Sequence, residues 1–215
     1  MFNICLQIKW DFILISSVVQ DLSIIIASFV AINGIRSWQR ETKWKRKYEL
    51  AEEVRSLFYD VQERLYIIRH PMSYEGEGRS RKRSLEENKE VSEILDQAYV
   101  IHERFEKEKD PFVRLKVLKY RFMVVFGKKA GEPFDELVRL MNDIFFATNR
   151  LGKRYWKDQG RKKFSDAEFE KHLKEMHEFE ATIWANHTGE DKIKERMEEI
   201  ILKVEGICSE VIKVK

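Results

Sequence analysis

Fifteen of the twenty-one residues from Phe12 to Ile32 are apolar, and six basic residues follow within the next fifteen positions. At 1.5 Å per residue about 20 residues cross a hydrocarbon core of ~30 Å, so the length suits a membrane span. The chemistry is tighter, because Ser16, Ser17, Gln20, Asp21, Ser23 and Ser28 interrupt the run. An Asp near the bilayer centre costs roughly 2.5–3.5 kcal/mol on an insertion scale, and each Leu, Ile, Phe or Val returns roughly 0.3–0.6 kcal/mol. The thirteen such residues here outweigh Asp21 by a small margin. The segment 12–34 is therefore predicted to be one transmembrane helix, preceded by a short N-terminal segment over 1–11.

The flanks set its direction. Lys9, offset by Asp11, stands ahead of the segment, whereas Arg36, Arg40, Lys43, Lys45, Arg46 and Lys47 follow it against the single acid Glu41. The positive-inside rule then places the C-terminal side in the cytoplasm, with Trp10, Trp38 and Trp44 suited to the two interfaces. The six basic residues are candidates for contact with anionic lipid headgroups. A cleaved signal peptide is a rival, but its basic residues belong before the apolar run. A buried core helix is another, since Gln20 and Asp21 would be easier to satisfy inside a soluble protein.

On a helical projection, Ser16, Ser17, Gln20, Asp21, Ser23, Ala27, Ser28 and Ala31 fall within an arc of roughly 160°, opposite Ile15, Val18, Leu22, Ile26 and Phe29. Small and polar residues are what membrane helices use to associate, and an ionisable residue inside a span is a functional hypothesis by default. Homo-oligomerisation through Ser17, Gln20, Asp21 and Ser28 is the expectation, set against a tolerated polar stripe in a monomer.

The remainder reads as all-α. Charged residues make up 36% of the chain, with only nine Gly and three Pro, a composition that favours long helices over a turn-rich β fold. The net charge of +3 excludes a global signal for polyanion binding, and no specific nucleic-acid contact is expected. Cys5 and Cys208 lie too far apart to suggest a metal or disulfide framework and fit a reducing compartment.

A long juxtamembrane helix is predicted over 35–69, with Leu50, Val54, Leu57, Val61, Leu65 and Ile68 as its buried stripe and nothing between Ile35 and Arg69 to break it. His70-Pro71 ends it. A loop over 70–84 carries Gly76 and Gly78 beside Arg79, Arg81, Lys82 and Arg83, a cluster that could meet phosphate or anionic lipid but reads more simply as a solvated, mobile loop. Over 85–215 an antiparallel bundle is expected, about five to six helices in all. Its helices fall near 85–108, 111–126, 133–151 and 165–184, with a last one capped by Thr188. The 111–126 helix, apolar on most sides, is expected at the centre of the core. The 152–163 loop mixes Tyr155 and Trp156 with basic residues that could stack bases and grip phosphates or lie on anionic headgroups, the second favoured by the nearby anchor and neither specific. Ser165 with Glu168 forms a capping box, and Phe164 with Phe169 a hydrophobic staple.

No pattern for a cofactor or catalytic centre emerges. Glu168, His172 and Glu175 share a helical face, but a lone His-x-x-Glu with no second copy reads as solvated surface, and phosphate-loop, dinucleotide and nucleophile-elbow motifs are missing. The span followed by Trp38-Gln39-Arg40, Leu50-Ala51, Arg69-His70-Pro71, Tyr120-Arg121-Phe122, Gly127 and Gly131-Glu132-Pro133 resembles a group of uncharacterised bacterial single-pass membrane proteins. The resemblance implies this architecture and a bacterial origin, with no established activity to carry over, and with the flanking charges it gives a bacterial inner-membrane location with a cytoplasmic C-terminal domain. The expected role is a non-enzymatic interaction or sensor module that binds an unidentified protein partner. A membrane effector or toxin whose clustered spans perturb the bilayer is the second expectation, and an enzyme built from scattered His and Glu the third.

Overall fold

The computed structural model describes the backbone of residues 2–85, 87–186 and 188–212, with side chains from Gln20 onward within those ranges. Among the described residues there is no strand. Helix α1 spans Phe2–Ile68, α2 Lys89–Glu108, α3 Asp110–Phe126, α4 Glu132–Arg150, α5 Asp166–Ile183 and α6 Lys192–Cys208. A 3₁₀ turn, Lys128–Gly131, joins α3 to α4, and a π turn at Leu151–Tyr155 extends α4 into a last α turn at Trp156–Asp158.

The chain divides into two compact units, Met1–Glu49 and Leu50–Lys215. In the first, every side chain from Gln20 to Glu41 is exposed. Among the described residues this is the one helix long and apolar enough to cross a membrane, and it lies near the N-terminus.

The second unit begins at Leu50, earlier than the predicted 85–215 bundle. The reason is burial: Leu50, Ala51, Val54, Leu57, Phe58, Val61, Leu65 and Ile68 share one core with α2–α6. Phe58 meets Phe134 of α4 edge-on at 5.1 Å, and the Cys208 thiol lies 3.6 Å from the Ala51 carbonyl. Truncating a buried Phe of this kind costs about 3–5 kcal/mol. Helix α4 is the hub, packing on α2, α5 and α6 and more lightly on α3.

Helix α3 departs from its predicted place at the centre of the core. Pro111, Leu115 and Phe122 are buried, but Val113, Val117, Val124 and Val125 face outward, so α3 lies at the periphery. Composition alone misled here, because Arg114, Lys116 and Arg121 need solvent on the same side that carries the valines. Other ends follow local chemistry. Asn88 caps α2 by accepting the Val91 amide at 2.8 Å, which starts that helix four residues later than predicted. Ser165 and Glu168 form the predicted capping box, with the Phe164 and Phe169 rings 6.3 Å apart. Asp191, and not Thr188, caps α6, accepting the amides of Ile193 and Lys194 at 3.1 Å.

Asp191 does more than cap. Its carboxylate receives the Arg69 guanidinium at 3.0 Å, with both side chains almost fully buried. Arg69 also donates to the carbonyls of Ala181, Thr182 and Trp184 at 3.0–3.1 Å, closing the C-terminal end of α5, while its own carbonyl accepts the Ala185 amide at 2.7 Å. Burial lowers the pKa of Arg69, with Asp191 opposing. For Asp191, burial pushes upward, but the Lys194 amide and Arg69 outweigh it and hold the carboxyl below its ordinary value. Removing one partner of such a pair strands the other charge in the interior, at about 3–5 kcal/mol. Arg69→Met should therefore lower stability by that amount in chemical denaturation. Asp191→Asn should cost less, because an amide oxygen still caps α6 and Arg69 keeps three carbonyls. An equal loss in the two variants would refute this division of roles.

Candidate functional site

The predicted association residues Gln20, Asp21 and Ser28 are exposed on α1, and the Ser17 side chain lies outside the described residues. Among and just past them run Leu22, Ile24, Ile25, Ile26, Phe29, Val30 and Ile32, each at least half exposed. A bare apolar surface of this extent marks contact with lipid or protein. Past it, Arg36, Arg40, Lys43 and Lys47 recur at spacings of four, three and four, which sets them on one side of the helix. Lys45 pairs with Glu49 at 4.0 Å, Arg46 is exposed away from the row, and Trp44 stacks on Tyr48 at 5.4 Å. The helical register thus joins four of the six predicted basic residues into a row and leaves two outside it.

The second predicted basic cluster is organised differently from a solvated loop. Arg81 donates to both Glu87 oxygens, at 2.9 and 2.6 Å, and to Asp96 at 3.2 Å, while Arg83 also reaches Asp96. These two guanidiniums hold the loop on α2, and Arg79 and Lys82 stay exposed. Arg104, itself buried, donates to the carbonyls of His70 and Met72 at 2.6 Å and to Glu77 at 2.7 Å. Glu103 accepts the Gly78 amide at 2.9 Å and the Ser80 hydroxyl at 2.7 Å. Gly78 is there for geometry: its φ is +81°, and a Cβ would lie 1.9 Å from the Asp96 carbonyl oxygen. Glu87 and Asp96 thus neutralise Arg81 and Arg83, two of the four basic residues that suggested a phosphate site.

The aromatic and basic stretch after α4 likewise turns inward. Tyr155 is buried and donates to Glu175 at 2.7 Å, and Trp156 donates to Glu180 at 2.7 Å. Gly152 is needed because a Cβ there would meet that of Ala98 at 2.5 Å. Lys153, Arg154, Lys157, Lys162 and Lys163 remain exposed, but the rings that would stack on bases are used in packing. His172 is also buried, against Tyr155 and Phe164, and its Nε2 has no hydrogen-bond partner among the described residues, so the solvated-face reading fails for it. His102 stacks on Phe145 at 4.7 Å, and burial lowers its pKa against the opposing Glu106. Among the described residues no group of three His, Cys, Asp or Glu is placed to hold a metal ion. Burial pushes the Cys208 thiol up to about 11, so it is inert.

Sequence reading gave Arg69 and Asp191 no role beyond the ends of their helices and did not single out Arg104. The available signal was an Arg directly before His70-Pro71, where a helix end leaves carbonyls needing donors. The loop also carries a pH dependence. Hydrogen bonds from Arg81 hold Glu87 at about 2, those from Lys107 and Ser80 hold Glu103 at about 2, and Arg104 lowers Glu77. Depressed carboxylates stabilise the fold fully above their unfolded value near 4.5, and that contribution is lost as pH falls toward about 2. Amide exchange of residues 74–84, referenced to unstructured rates at each pH, should accelerate across this window. Glu87→Gln with Glu103→Gln should flatten the profile, and an unchanged profile would contradict the assignment. No family model matches the chain, and no curated protein or solved structure matches it.

Proposed function

We propose that this chain is a single-pass protein of the bacterial inner membrane. Its α1 spans the bilayer from about residue 12 to 34 and tethers a cytoplasmic, antiparallel helical bundle that serves as an interaction or sensor module. The observation that carries the reading is the exposed apolar surface of α1 from Leu22 to Ile32, followed at once by the basic row Arg36, Arg40, Lys43 and Lys47. Apolar surface of this kind needs a nonaqueous neighbour, and cations at its end suit the anionic cytoplasmic leaflet. Asp21 and Gln20, with Ser17 and Ser28, give the span a side on which copies of the chain bond to one another.

The tether is tested by alkaline carbonate extraction of cells expressing the full chain. The wild type should stay with the membrane pellet. Ile26→Lys with Phe29→Lys should move it to the soluble fraction, because each Lys near the bilayer centre costs roughly 2.5–3.5 kcal/mol. Extraction of the wild type would end the proposal. Association is tested separately by cross-linking in membranes, where Asp21→Leu should reduce the dimeric and higher species; an unaltered ladder would assign the polar side no role.

A further inference from the structure

Helix α3 presents a row of apolar side chains to solvent. Val113, Val117, Tyr120 and Val124 recur at spacings of four, three and four, and are 51%, 72%, 71% and 85% exposed. At 100° per residue they fit an arc of roughly 60°. This is the side of α3 opposite Leu115 and Phe122, which anchor the helix in the core, so core packing gives no reason for apolar residues there. The edges of the row are basic. Arg114 and Arg121 border one side and Lys116 the other, and Lys128 and Lys129 follow just past the helix end, all exposed. From Asp110 to Lys129 there are six basic residues and one acid, a net +5 where the whole chain carries +3. Two of the six are engaged: Lys119 pairs with Asp135, and Arg114 approaches Glu53 at 3.3 Å. Lys116, Arg121, Lys128 and Lys129 have no carboxylate partner among the described residues.

The combination selects the occupant. A second copy of the same face would bring like charges together on both edges, which disfavours pairing. Nucleic acid would use the cations but has no place for a valine row, since bases stack on rings. An anionic bilayer surface takes both parts. Aliphatic side chains and a tyrosine enter the boundary between headgroups and acyl chains, and lysine and arginine keep their stems there while their charged ends reach phosphate.

We infer that the outer face of α3 is a second membrane-contact site, lying on anionic headgroups with Val113, Val117, Tyr120 and Val124 turned into the interface. The inference rests on the membrane-protein reading for bringing a bilayer within reach, but its chemistry belongs to the bundle. Contact of this kind makes the bundle responsive to lipid composition: it lies down on an anionic surface and is released where anionic lipid is scarce.

The test uses the full chain with Cys5→Ser, leaving the buried Cys208 in place, reconstituted in phosphatidylcholine vesicles with or without phosphatidylglycerol. An environment-sensitive dye is attached at Val124→Cys, and in a separate sample at Ile26→Cys, and quenched by lipids carrying nitroxides. The residue 124 dye should be quenched several-fold more strongly when phosphatidylglycerol is present. Lys116→Glu with Arg121→Glu should remove that difference, and so should raising salt to ~1 M, where the screening length falls to about 3 Å. A residue 124 dye that stays open to water in both vesicle types overturns the inference, and if the residue 26 dye is lipid-quenched the tether stands without it. A residue 124 dye shielded from water but not reached by lipid quenchers also overturns it, in favour of a protein partner. Failure of the residue 26 dye to reach lipid ends the tether reading, while anionic-lipid quenching at residue 124 would still support this site.

Discussion

One buried guanidinium holds together the part of the chain where three helices end or begin. Arg69 follows the last residue of α1, and its five donors have few other ways to be satisfied at that depth. It spends them on the exposed carbonyls of the α5 end and on Asp191, which in turn caps α6. A cation at a helix C-terminus and an anion at a helix N-terminus each meet the favourable end of a macrodipole, so the pair is supported by more than its mutual attraction. This matters because a buried ion pair is weak evidence of stability by itself; the surrounding hydrogen bonds make this one specify how α1, α5 and α6 meet.

Arg104 performs a parallel task on the other side of the same break. Donating to the carbonyls of His70 and Met72 and to Glu77, it fixes the chain just after α1 and brings the glycine-containing loop down onto α2. Gly78 permits the close approach, and Arg81 and Arg83 complete it by bridging to Glu87 and Asp96. A segment rich in arginine thus becomes a nearly neutral cover. Arg79 and Lys82 stay exposed on it, and longer rows of exposed basic residues lie after the apolar part of α1 and along the outer side of α3.

Those two surfaces share a chemistry, apolar side chains bordered by lysine and arginine, in two units that are separate in the fold. We propose lipid headgroups above an apolar layer as the counterpart of both. The core of the second unit, by comparison, is built from aromatic rings and aliphatic side chains around α4, and His102 and His172 serve as rings in that packing.

The sequence by itself determined the all-helical class, the apolar N-terminal helix with its basic flank, the buried stripe of α1 beyond Leu50 and the start of α5. These are set by periodicity and by contacts within a few residues, and such signals survive without knowledge of what lies across the fold. Tertiary structure alone decided that α3 is peripheral, that Tyr155 and Trp156 face inward, that Asp191 replaces Thr188 as a cap, and that Arg81 is consumed by carboxylates. In each case the deciding partner is distant in sequence: Asp191 is chosen because Arg69 must be neutralised, and Tyr155 turns in because Glu175 and the ring of His172 await it. A charge or a ring has the same appearance in the sequence whether water or another side chain will satisfy it, and only the packed chain chooses between them.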